Sequence, residues 1–113
     1  MSPQREDYMS RQIRAIAAMI ARMMGWRLSG ETEKAKVELD EAYTLLLGPQ
    51  AALVRRVDAA TATRLIGSRE KVLAFSQLLE EEAEQESDEV RRAFLRERAV
   101  EVRGQGETPA TEA

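Results

Sequence analysis

Glycine and proline divide this chain at intervals of helix length, and that punctuation restricts its fold more than any other feature. They stand at Pro3, Gly25, Gly30, Gly48, Pro49, Gly67, Gly104, Gly106 and Pro109. Apart from Gly25, each falls where a helix would begin or end. Between them, apolar residues recur every three or four positions, and no run of alternating β-branched residues occurs. The chain therefore reads as all-α, with about five or six helices packed as antiparallel hairpins.

Ser2-Pro3 starts the first helix, with serine as the N-cap and proline in the first turn, where its missing N–H is not needed. This helix runs to about Leu28. One apolar face carries Met9, Ile13, Ile16, Ile20, Met23 and Met24, and a second carries Tyr8, Ala15, Met19 and Trp26. Two faces predict more than one neighbour. Ser29-Gly30 closes the helix. Glu31, Thr32 and Glu33 open the next, with acids at the positive end of its dipole. Its buried face is Ala35, Leu39, Ala42, Tyr43 and Leu46, and Gly48-Pro49 stops it.

From Gln50 to Ile66 the pattern reads either as one helix or as two, with Leu53, Val54 and Val57 in the first and Asp58 capping a second over Ala59–Ile66. Ser68 caps the following helix, whose stripe is Val72, Phe75, Leu79 and Ala83. Ser87-Asp88 reads as a turn and a fresh cap, although the lack of glycine or proline leaves one continuous helix as the alternative. Beyond it, Val90 and Phe94 lie on one side, and Leu95, Ala99 and Val102 on another. Residues 1–103 read as a single helical domain. The small, polar stretch 104–113 reads as a disordered tail.

Composition removes whole classes of chemistry. The chain has 113 residues and contains no cysteine and no histidine. Disulfides, thiolate nucleophiles and cysteine-built metal sites are excluded, as are the commonest general base and the commonest transition-metal ligand. No cofactor is expected, and the expectation is a non-enzyme. The pI near 5.1 disfavours general binding to nucleic acid or to membrane surfaces. Arg5, Arg11 and Arg14 precede the apolar run Ala15–Ala21 as in a weak signal peptide. Arg22 interrupts the run at the lower limit of length, and the spacing is that of an amphipathic helix. A cytoplasmic protein is expected.

Charge is segregated by helix: net +3 over residues 1–29, −3 over 30–48, −4 over 68–86 and +1 over 87–103. Consecutive segments are thus complementary, as antiparallel packing of neighbours predicts. Each exposed pair is worth only about 0–1 kcal/mol, so the pattern biases register more than it stabilises.

The stretch from Met19 to Pro49 resembles one tetratricopeptide helix pair. The residues that carry the resemblance are Met19, Met23 and Trp26 on the first helix, Gly30 in the turn, Ala35, Leu39 and Ala42 on the second, and Pro49 just beyond. Arg22 stands where the repeat usually has leucine, and Pro49 falls slightly late. A second, poorer copy spans Val72–Val102, with Ser87-Asp88 as its turn, Ala99 in the place of Ala42, and Arg92 and Arg96 on motif positions. Over residues 5 to 103 the chain resembles an uncharacterised bacterial family of small all-α, tetratricopeptide-like proteins. That resemblance implies the fold and an interaction role with a protein or peptide partner.

Four constellations are candidates for function. Glu80, Glu81 and Glu84, within the acidic run that ends at Glu89, fit the EExxE half of the magnesium site in all-α nucleotide pyrophosphohydrolases. The other half, a Glu three residues before an Asp on a later helix, is missing, and a solvated face is the preferred reading. Arg11, Arg14 and Arg22 share a face about 80° wide on a wheel of 3.6 residues per turn, suited to phosphates or simply to solvent. Solvent is preferred. Met19 and Met23, with Met24 and Trp26, suit either a plastic groove for a partner or ordinary core, and core is preferred. Leu95, Ala99 and Val102 are a surplus apolar stripe that points to self-association as a homodimer. Tyr43 and Ser68 read as packing and cap.

Overall fold

A computed structural model describes the backbone of residues 3–107 and the side chains of residues 7–107. The expected cap at Ser2 and the tail from residue 108 lie outside the described residues. The described residues form six α-helices: α1 (Pro3–Leu28), α2 (Thr32–Leu47), α3 (Ala51–Arg56), α4 (Ala59–Ile66), α5 (Arg69–Gln85) and α6 (Glu89–Glu107), with a 3₁₀ turn at Gly48–Gln50 before α3. No strand occurs among the described residues. The fold is all-α.

The junctions follow from local chemistry. Gly30 takes φ +84°, the left-handed region that glycine enters at no steric cost. Its N–H donates to the Arg27 carbonyl at 3.2 Å, and the next N–H, of Glu31, donates to the Trp26 carbonyl at 2.8 Å. This pair of bonds is the Schellman ending of a helix. The segment 50–66 divides in two. Val57 is extended, and the Asp58 side chain accepts from the Thr61 N–H at 2.8 Å, restarting the chain as α4.

α5 and α6 are likewise separate helices. Glu86 is extended, Asp88 accepts from the Arg91 N–H at 2.8 Å, and the Arg92 guanidinium donates twice to the Glu86 carbonyl, at 2.7 and 3.0 Å. A side-chain cap and an arginine staple make this turn without glycine or proline.

Two antiparallel pairs build the core. α1 lies on α2: Gln12 near its start donates to the Leu45 carbonyl near the end of α2, and Arg22 donates to Glu38. α5 lies on α6: Glu84 meets Arg96, Glu80 meets Arg103, and Val72 and Leu73 meet Gly106. α5 also runs parallel to α1, with Ser68 beside Met9 and Glu81 beside Arg27. It is antiparallel to α2, since Gln85 reaches the Ala35 carbonyl while Phe75 packs edge-on against Tyr43 at 6.0 Å between ring centroids. α4 rests on α6 and α5, beside α3.

The core joins Ile16 and Met23, Leu39 and Tyr43, Phe75 and Leu78, and Leu95 and Val102, closed by alanines at 35, 42, 83 and 99. Side chains of this size contribute about 1.5–3 kcal/mol each on full burial. The alanines let the helix backbones approach.

Three expectations are corrected. Gly104 and Gly106 do not end the last helix, which continues to Glu107. Gly106 serves instead as a close-approach point: a Cβ there would lie 2.9 Å from Leu73 Cδ2 and 3.0 Å from Val72 Cγ1. Met24, Tyr8 and Ala15 are exposed rather than core, because α1 buries only a narrow stripe around Ile16, Met19 and Met23. Leu95, Ala99 and Val102 are not surplus, since α4 and α5 cover that side of α6 within the same chain.

Candidate functional site

The faces of the helices expected to bind a partner are largely consumed by folding. Met23, Leu95, Ala99 and Val102 are sealed in the core, Met19 is nearly so, and Trp26 is half-buried against α2. The exposed apolar residues of α6 lie elsewhere: Val90 (80%) and Val100 (71%) on its far side and Phe94 (58%) on its flank. Helical spacing shows which residues share a face, whereas the neighbours decide which face is covered.

A cleft of about 570 Å³ follows the line where α1 runs parallel to α5. Ala17, Ile20 and Met24 of α1 form its apolar side. Glu80, Glu81 and Glu84 of α5 form the opposite wall, with Arg27 and Arg96 between them. The EExxE carboxylates therefore do line a cleft. They are, however, each committed to an arginine rather than gathered around a common point.

Glu81, with a side chain only 4% exposed, receives Arg27 Nε at 3.1 Å and Nη2 at 3.2 Å, and Gln85 donates to it at 3.1 Å. Glu84 receives Arg96 at 2.9 Å and has Arg27 at 3.7 Å, while Glu80 receives Arg103 at 2.7 Å. The bond from Arg96 holds the Glu84 carboxyl below its ordinary pKa, and the bond to Glu81 raises that of Arg27. Among the described residues, no group of three or more acidic side chains is arranged to hold a metal ion. The carboxylates are spent on joining α5 to α1 and α6. Arg27 bridges the cleft from α1 to α5 in consequence, and Arg96 reaches its α5 wall from α6.

The arginines Arg11, Arg14 and Arg22 of α1 are all exposed, and Arg22 is in addition tied to Glu38 of α2 at 2.8 Å. Tyr43 and Ser68 take the positions read for them. Tyr43 is buried, and its hydroxyl donates to Glu82 at 2.6 Å. Ser68 accepts from the Lys71 N–H. Burial, then the adjacent Glu82 carboxylate, pushes the tyrosine hydroxyl well above its ordinary pKa.

A second cleft, of about 480 Å³, lies between α3 and α6 and escapes sequence reasoning altogether. It brings Arg55 and Arg56 together with Arg91 and Arg98. The guanidinium of Arg55 stacks over the Tyr43 ring at 4.0 Å. Arg98 is buried, and its Nη2 donates to the Val54 carbonyl at 2.9 Å. The signal available in the sequence is the spacing: Arg91 and Arg98 stand two helical turns apart with Phe94 and Leu95 between them, on the side of α6 that the paired arginines of α3 come to face.

Comparison with known protein families, with curated proteins and with solved structures finds no match. No helix among the described residues is long and apolar enough to cross a membrane. The class defined here is an all-α fold of two antiparallel helix pairs joined through two short helices.

Proposed function

We propose that this chain is a non-catalytic interaction module that docks a segment of a partner protein in the cleft between α1 and α5. The observation that carries the reading is the composition of that cleft. It has an apolar side of Ala17, Ile20 and Met24 faced by charged groups already held in register by Arg27 and Arg96. Small and flexible apolar side chains accept a partner's apolar anchors, and a charged opposite wall selects its polar face. Two antiparallel hairpins whose first helices run side by side also support a tetratricopeptide-like reading, with the interaction role that resemblance implies.

The test is a selection of displayed peptides on the full chain, counter-selected on Ala17→Arg. Peptides that bind the parent chain and lose about tenfold or more in affinity on Ala17→Arg and on Met24→Glu are expected. Enrichment only of peptides indifferent to both substitutions overturns the proposal. A second reading, self-association, draws on the exposed face of α6 around Val90 and Val100, in place of the stripe that folding covers.

A further inference from the structure

We propose that the cleft between α3 and α6 binds a phosphorylated small molecule of nucleotide size. Arg55, Arg56, Arg91 and Arg98 line it, and Glu82 is the carboxylate on its wall among the described residues. Glu82 is already divided between the Tyr43 hydroxyl at 2.6 Å, Arg55 at 3.4 Å and Arg91 at 3.7 Å. Arg55 and Arg91 have further partners in Asp40 and Glu86, at 3.4 and 3.3 Å. Neither Arg56 nor Arg98 is paired with a carboxylate among the described residues.

Arg98 is the decisive group. Only 7% of it is exposed, its Nε has no acceptor, and its hydrogen bond among the described residues is to a backbone carbonyl, which balances no charge. The carboxylate within its electrostatic reach, Asp58, is not in ion-pair contact with it, so the buried guanidinium is only partly balanced and an anion in the cleft completes it. Arg55, stacked on Tyr43, is held in place beforehand. Several guanidinium forks converging on a half-enclosed cleft match the geometry and charge of phosphoryl oxygens, which they bind bidentately.

Size and shape narrow the ligand. A volume of about 480 Å³ lies in the range of about 300–1,000 Å³ typical of small-molecule sites. At the rim, Phe94 exposes more than half of its surface, offering a ring against which a flat group stacks.

The experiment is thermal unfolding of the full chain in low salt with millimolar inorganic pyrophosphate or ATP. Pyrophosphate raises the melting temperature by about 4 °C or more, ATP raises it further, and added salt diminishes both effects. Arg56→Ala with Arg91→Ala, at two exposed positions, abolishes the shifts. Arg56→Gln alone, which has no ion pair to lose, reduces them. Arg11→Ala with Arg14→Ala removes the same charge from α1 and preserves them. Phe94→Ala lowers the response to ATP and spares that to pyrophosphate.

No shift with either anion overturns the site. So does a shift indifferent to Arg56 and Arg91, or one lost equally with Arg11 and Arg14. ATP acting no better than pyrophosphate overturns the stacking half of the proposal and upholds the phosphoryl half.

Discussion

At the scale of single residues, this protein places its charges where they do the work of a core. Glu81 sits beneath the α1–α5 cleft with both oxygens engaged by Arg27 and one also by Gln85. Replacing it with glutamine keeps the shape and removes the charge, leaving the half-buried Arg27 guanidinium short of its counter-ion. We expect Glu81→Gln to lower the stability by about 1–3 kcal/mol in urea unfolding. Exchanging Arg103, whose pair with Glu80 is open to solvent, should change it by about 0.5 kcal/mol or less. An equal loss at both positions would refute the distinction. The sequence shows these acids as a run and cannot distinguish the engaged from the solvated, because that depends on which arginines the packing brings within reach.

At the scale of elements, the boundaries were legible wherever they rest on local chemistry. Gly30, Gly67, Asp58 and Ser68 each act on their own backbone or that of the next few residues, so the turn is written beside the helix it ends or starts. Gly106 misled for the opposite reason: what it does depends on α5, far away in the chain. This gives a paired prediction. Alanine at Gly104, where a Cβ meets nothing within 4 Å, should stabilise α6 by about 0.5–1 kcal/mol. Alanine at Gly106 must move Val72 or Leu73, so that gain is cancelled or reversed. Thermal unfolding of the two variants reads the difference directly. Matching gains would show that α6 does not approach α5 as closely as described.

At the scale of the whole molecule, the fold class and the pairing of helices followed from periodicity and from the alternation of net charge. Neither cleft did, since each is formed by elements that meet only when the pairs assemble. The molecule measures 43 × 30 × 22 Å with a radius of gyration of 14.2 Å. That slightly exceeds the roughly 13 Å expected of a compact chain of this length, as the 26 residues of α1, about 39 Å of helix, imply. If Val90, Phe94 and Val100 meet their counterparts in a second copy, sedimentation gives a dimer mass that Val100→Asp returns to the monomer. A monomer at high concentration in the parent chain refutes this. The two antiparallel pairs have one more consequence. Each is closed by a turn of three residues, so the helices of α1–α2 and of α5–α6 meet across a short loop. Closing such short loops loses little chain entropy. This topology therefore belongs with those that fold in microseconds to milliseconds.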